Sequence, residues 1–316
     1  MILSLNPTYF CNFRNGKCAD TCYLTKSQLS DSRLLKIETI KARIQELSES
    51  FKLEHIDLYG GEITILPLDY QLELISYLAG LNVSVNLVTN LSNTDSPFIA
   101  HLPRNFTLSV SWDFEARQAS DKVFDRMEKL PHKFSILSLA TPEFARFDPE
   151  MILGLLMKLP NLQAYEIKPY NQNQSNHHSF THKDYEDLIQ KYIILYKKLK
   201  PNFQFVNIDL LQMSLAKVKS SWSDQHLYLT PDDTWSVLEF DQKGNEYFKK
   251  LNSIPEYLAW SKQEKEVFEM DPHCRKCRHL GHCLSEHLKP IDRFETNGCS
   301  GFKNLLDWFE TTGRTL

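Results

Sequence analysis

Between Cys22 and Cys274 the chain has no cysteine, and no histidine precedes His55. Lys and Arg are scattered with no long block of either. The net charge of -4 and a pI near 6.3 carry no basic bias, so nucleic acid is not an expected partner. Met1 to Phe10 have neither a positive n-region nor a long apolar stretch, and no later segment approaches the ~20 apolar residues of a membrane span. No G-x-G-x-x-G or G-K-[ST] loop follows a strand-like segment, which removes the usual nucleotide cradles. What is left is an expected cytoplasmic protein with no membrane partner.

The 316 residues, 42% hydrophobic and 12% aromatic, can bury a large core. Short apolar runs alternate with helical patterns to about residue 210. Strands are expected at Ile2 to Leu5, Ile56 to Tyr59, Val83 to Thr89, Phe106 to Trp112, Phe134 to Leu139 and Tyr165 to Lys168. Helices are expected over Ser32 to Phe51, opened by Ser30, Asp31 and Ser32, then Asp69 to Ala79, Arg117 to Leu130, Pro149 to Lys158 and His182 to Leu199. Six strand-helix units predict an α/β fold: a partial (β/α)6 TIM-type barrel over residues 1–220, with a small C-terminal cysteine-rich domain over 221–316. Asn171 to Ser179 reads as a polar loop. Leu227 to Leu229 and Trp235 to Phe240, around Thr230-Pro231-Asp232-Asp233, read as a hairpin, and Asn304 to Thr311 as a short closing helix.

All seven cysteines fall in two tight groups, Cys11, Cys18 and Cys22, then Cys274, Cys277, Cys283 and Cys299. An odd number so grouped does not read as a disulfide framework, and clustered thiols in a reducing compartment point to metal. Three thiolates in one loop can ligate three irons of a [4Fe-4S] cluster and leave the fourth iron open. Zinc normally takes four protein ligands and fits this loop less well, while incidental or redox-active thiols stay open as an alternative. The four late cysteines suffice for a cluster or a zinc ion, with His273, His279 and His282 as further zinc donors.

Cys11-Asn12-Phe13-Arg14 with its following cysteines, then Tyr59-Gly60-Gly61-Glu62 after the second strand, resembles the radical S-adenosylmethionine family over nearly the whole chain. Val88-Thr89-Asn90 and Ser109-Val110-Ser111-Trp112-Asp113 fall at strand ends where that family places cofactor contacts, and Lys168-Pro169-Tyr170 ends the sixth strand in similar style. The cysteine spacing departs from the family's Cys-x3-Cys-x2-Cys: here it is x6 and x3, with Thr21 in the usual aromatic position, and Asn15 and Gly16 able to form a bulge. The resemblance implies that S-adenosylmethionine chelates the open iron and that one electron cleaves it to methionine and a 5′-deoxyadenosyl radical. It implies cofactor contacts at Tyr59, Gly60, Gly61, Glu62, Thr89, Asn90, Ser109 and Ser111, with Arg117 and Arg126 as weaker carboxylate candidates. For each polar strand-end residue the plain alternative is solvent contact, and Gly-Gly after a strand is otherwise an ordinary turn.

Cys274 to Cys299 resembles the SPASM or twitch-type extension of radical S-adenosylmethionine peptide-modifying enzymes, reduced to one auxiliary cluster because His287 stands where another cysteine belongs. The implied cofactors are therefore S-adenosylmethionine and two [4Fe-4S] clusters, one of them auxiliary, with Val237 and Leu238 packing as core. The implied reaction is oxidative modification of a ribosomally made peptide, a cross-link or a dehydrogenation. Epimerisation and methyl transfer are disfavoured because no cysteine is spare. An external flavodoxin- or ferredoxin-type donor is expected, and leader recognition would need the C-terminal domain or a separate protein. A small-molecule dehydrogenase is the competing enzyme, and a non-catalytic iron-sulfur or zinc module the competing binding protein. No catalytic side chain is singled out.

Overall fold

Polar and apolar residues alternate along the first four strands, and in the computed structural model this alternation separates the two faces of a sheet. The structure describes residues 1–170, 180–238, 248–284, 299 and 302–315. Its elements run β1 Ile2–Leu5, α1 Lys17–Thr21, α2 Lys26–Ser30, α3 Ile37–Ser50, β2 His55–Leu58, α4 Leu68–Gly80, β3 Ser84–Thr89, α5 Pro97–Ala100 and β4 Phe106–Ser111. There follow α6 Ser120–Lys129, β5 Phe134–Ala140, α7 Pro149–Leu156, β6 Leu162–Pro169, α8 His182–Leu199, β7 Gln204–Phe205 and α9 Val206–Leu215. The C-terminal part holds β8 His226–Leu229, β9 Trp235–Leu238, β10 Phe248–Leu251, α10 Ile254–Met270 and α11 Lys303–Trp308.

The strand order is β10-β9-β8-β1-β2-β3-β4-β5-β6-β7, parallel from β8 through β7 and antiparallel at β8-β9 and β9-β10. Parallel strands joined through helices bury one face under those helices. Leu3, Leu5, Ile56, Leu58, Val85, Leu87, Leu108 and Val110 form that face, packed against Ile40, Ile44 and Leu47 of α3 and Leu74 and Leu78 of α4. The opposite face carries Ser4, Asp57 and Asn86 in register across β1, β2 and β3. It continues through Ser109 and Ser135 on β4 and β5, and Leu137 with Glu166 on β5 and β6. The expected partial barrel is thus present, its inner wall polar where such barrels are usually filled by branched aliphatics.

Three features differ from the sequence expectation. The first long helix starts at Ile37, not Ser32, because residues 31–36 are tied down as extended chain: Asp31 Oδ1 accepts from Arg33 N at 2.9 Å, Thr8 Oγ1 donates to Arg33 O at 2.9 Å and Leu35 N donates to Pro7 O at 2.8 Å. The helix expected from Arg117 starts at Ser120, since Asp113 draws Arg117 Nε to 2.8 Å and holds it outside the helix. The C-terminal hairpin does not stand apart, because β8 pairs in parallel with β1 along its whole length and continues the barrel sheet. The sequence does not announce β7, β10, α9 or α10. The last has a legible start in Ser253, whose side chain accepts from Glu256 N at 3.3 Å, with a proline in the first turn. The Asn171 to Ser179 loop, His287 and the end of the expected Trp235 to Phe240 strand lie outside the described residues. Val237 is buried as expected, while Leu238 lines the cavity described next.

Candidate active site

The strands' C-terminal ends converge on a cavity of about 560 Å³, within the range of small-molecule sites. Cys11, Cys18 and Cys22 all line it. Gly16, at φ +89°, opens the five-residue helix α1, which carries Cys18 and ends against Cys22, so four residues of helical rise place both thiols on one side. The bulge expected at Asn15 and Gly16 is this turn. Two backbone amides point at the sulfurs: Phe13 N lies 3.4 Å from Cys11 Sγ and Leu24 N 3.4 Å from Cys22 Sγ. Such N–H···S bonds suit thiolates that ligate iron. Burial pushes the thiols of Cys11 and Cys22 up to about 12, and that of Cys18 upward too, so in neutral water they ionise only with a cation at the site. Among the described residues no three His, Cys, Asp or Glu side chains lie close enough to share one metal ion.

Gly60 and Gly61 press β2's end against the cysteine loop. A Cβ on Gly60, at φ +145°, would lie 2.3 Å from Thr8 O, and one on Gly61 would lie 1.9 Å from Phe10 O. Only glycine permits this approach, sealed by Gly61 N donating to Thr8 O and Glu62 N to Phe10 O, both at 2.8 Å. The buried Glu62 carboxylate accepts from Thr64 N (3.2 Å), Thr64 Oγ1 (2.7 Å), Thr89 Oγ1 (2.6 Å) and Asn90 N (2.7 Å). Glu62 therefore clasps the ends of β2 and β3. Burial raises its pKa against the pull of these donors. Asn90 Nδ2 reaches Asn12 Oδ1 at 3.0 Å and Cys11 Sγ at 4.0 Å, joining the third strand to the cysteine loop.

Every proposed cofactor contact, Tyr59, Gly60, Gly61, Glu62, Thr89, Asn90, Ser109 and Ser111, lines this cavity. Ser109 Oγ is already committed, donating to Asn86 Oδ1 at 2.9 Å. Arg117 also lines the wall, whereas Arg126 does not and instead donates to Leu91 O at 2.9 Å. Burial alone would lower the Arg117 guanidinium, but Asp113, joined by Cys18 and Cys22 when these are thiolates, outweighs it and holds it charged. Asp113 is fixed in turn, its Oδ1 accepting from Leu139 N at 2.6 Å. The sequence reading missed Asp57, Asn86, Glu166 and His226. Their signal was the period-2 polar alternation of the strands.

The second cysteine group lies elsewhere. Cys274 and Cys277 sit on one turn after α10, with Cys274 N donating to Asp271 Oδ1 at 3.0 Å and Cys277 N to Cys274 O at 2.8 Å. The turn is tied to α11 through His279 Nε2 and Asp307 Oδ1 at 2.9 Å. None of the seven cysteines forms a disulfide.

No family model and no curated protein matches the chain. Solved structures do. The fold is that of native anSMEcpe with bound AdoMet, at TM-score 0.70 and 14% identity, covering 99% of this chain and 98% of that one. The hexahistidine-tagged form of anSMEcpe with bound AdoMet gives 0.70 at 15% identity, covering 99% and 94%. Streptococcus suis SuiB bound to precursor peptide SuiA gives 0.64 at 12% identity, covering 96% and 75%. The chain therefore has the partial TIM-type barrel of these proteins, with four of its own seven cysteines in its C-terminal region.

Proposed function

We propose that this chain is a radical S-adenosylmethionine enzyme that carries out oxidative modification of a ribosomally made peptide. The observation that carries the reading is the meeting of Cys11, Cys18 and Cys22 with the Gly60–Glu62 turn and Thr89–Asn90 at one cavity. The neighbours crystallised with AdoMet and with a precursor peptide support it. The three cysteines would hold a [4Fe-4S] cluster, and with S-adenosylmethionine bound that cluster supplies one-electron cleavage of the sulfonium and hence hydrogen-atom abstraction. The protein's share is positional. The amide donors to Cys11 and Cys22 stabilise thiolate charge, the glycine pair lets backbone meet the cofactor closely, and the Glu62 clasp fixes the strand ends that carry Thr89 and Asn90. Arg117 sets positive charge beside Cys18 and Cys22.

The four late cysteines are assigned to an auxiliary [4Fe-4S] cluster of SPASM or twitch type that accepts the electron an oxidised substrate must lose. Electrons enter from a flavodoxin- or ferredoxin-type donor, and seven thiols without a disulfide suit a reducing cytoplasm. The test is anaerobic reconstitution with iron and sulfide, then reduction with dithionite in the presence of S-adenosylmethionine. About eight irons per chain and formation of 5′-deoxyadenosine with methionine are expected. One zinc and about four irons would remove the auxiliary cluster. Iron-loaded protein that forms no 5′-deoxyadenosine would sink the reaction.

A further inference from the structure

Asp57 is the penultimate residue of β2, three residues before Gly60 where the chain meets the cysteine loop, and Asn86 lies three residues before Thr89 at the end of β3, so both sit roughly 10 Å deeper by strand rise. They form the floor of the same cavity. Asp57 Oδ1 accepts from His55 Nε2 at 3.2 Å and from Asn86 Nδ2 at 3.0 Å. Asn86 is itself locked, its Oδ1 accepting from Ser109 Oγ at 2.9 Å and Thr107 Oγ1 at 3.2 Å, so its amide N–H₂ is committed to Asp57. Four residues on three strands thus hold one oxygen of Asp57, while Oδ2 receives no hydrogen bond among the described residues. Burial opposes ionisation of Asp57, but His55, Asn86 and the nearby His226 hold its pKa at about 2.

The other charges on the wall are engaged. Lys168 Nζ sits 3.2 Å from Glu166 Oε1 and Arg117 is held by Asp113. Lys219 is not free either, and His226 Nε2 lies 2.6 Å from Ser4 Oγ with its ring stacked on Tyr228. Above the floor, Ile189, Val206, Leu210 and Leu211 of α8 and α9 give an aliphatic side wall. A fixed carboxylate with one open oxygen, reached along an aliphatic wall, matches a charged group on an apolar stem.

We propose that the Asp57 floor is a substrate subsite for an alkylammonium group, the chemistry of a lysine-like side chain. An anionic group would meet Asp57 without compensation, and a purely apolar one would leave the carboxylate desolvated. The ammonium offers three donors, one for Asp57 Oδ2 and others for water or for the Ser4 hydroxyl, which lies in register with Asp57 on the adjacent strand and lines the same cavity. Under the proposed function, on which the word substrate rests, the ammonium belongs to the molecule that loses hydrogen. The subsite itself requires no turnover.

The test is isothermal titration of the anaerobically reconstituted full chain, without reductant, using Nα-acetyl-lysine amide and the uncharged Nα-acetyl-norleucine amide. Wild type should bind the lysine amide about tenfold or more tightly, the ratio expected for one charge-assisted hydrogen bond. Asp57→Asn should remove that preference and Glu166→Gln should keep it. Equal binding of the two amides by wild type, no binding of either, or a preference retained in Asp57→Asn would overturn the proposal. The wild-type comparison decides alone if Asp57→Asn does not fold. Iron content and S-adenosylmethionine binding are read on the same samples. Their loss with the lysine preference intact would refute the proposed reaction and spare this subsite, and the converse would refute the subsite alone.

Discussion

Replacing Gly61 by alanine tests whether the glycine pair exists to seat the cysteine loop. The added methyl would lie 1.9 Å from Phe10 O, 2.4 Å from Phe10 C and 2.6 Å from Tyr9 C. These are backbone atoms that no side-chain rotation can clear. The loop must move off β2's end, breaking the bonds from Gly61 N to Thr8 O and from Glu62 N to Phe10 O. Two such bonds contribute about 1–3 kcal/mol together, and overpacking adds about 1–3 kcal/mol. The sum, roughly 2–6 kcal/mol, lowers Tm by roughly 3–9 °C at the unfolding entropy of a chain of this size. Because Cys11 is the next residue of that loop, iron content should fall with stability. Gly154→Ala is the control: it lies inside α7 with nothing within 4 Å, and should gain about 0.5–1 kcal/mol from helix propensity. Scanning calorimetry and iron analysis on the same reconstituted samples give both readouts. A Gly61→Ala chain with unchanged Tm and full iron would refute the reasoning.

Cys11→Ala, Cys18→Ala or Cys22→Ala should each abolish formation of 5′-deoxyadenosine, and retained cleavage in any of them would sink the ligand assignment. Replacing both Cys274 and Cys277 with Ala should leave S-adenosylmethionine cleavage in place yet stop oxidised product. Wild-type product formation by a folded variant shown to lack the second cluster would exclude the electron-acceptor role. Arg117→Met removes positive charge beside Cys18 and Cys22 and should shift the cluster potential to more negative values, measured by redox titration followed by electron paramagnetic resonance. An unchanged potential would place Arg117 outside the cluster's field. Asp57, depressed from 3.8 to about 2, contributes stability that is present above pH 3.8 and is lost as pH falls towards 2. Asp57→Asn should therefore cost about 2 kcal/mol at pH 7 in urea unfolding of the apo chain, and the cost should shrink below pH 4. A pH-independent difference would show that the carboxylate's charge is not what matters.

Much is legible because the signals are local. Thr181 with Asp184 closes a capping box, so α8 begins at His182 as the pattern of polar cap and apolar stripe requires. Cys11, Cys18 and Cys22 are legible as a group because they are neighbours in sequence, and Gly60-Gly61-Glu62 because few chemistries ask for two glycines at a strand end. The sequence by itself therefore determined the barrel class, the grouping of three cysteines in the first loop and the strand ends that meet it. Tertiary structure decided what depends on partners distant in the chain. Glu62 reads in sequence as a charge facing the cofactor, but Thr89 and Asn90, brought beside it by parallel pairing of β2 with β3, occupy its carboxylate. β8 joined the barrel because β1 offered an open edge, a fact no local pattern carries. Asp57, Asn86 and Ser109 read singly as polar strand residues, and only parallel register stacks them into one floor, since the meaning of an alternating strand depends on which face the helices cover.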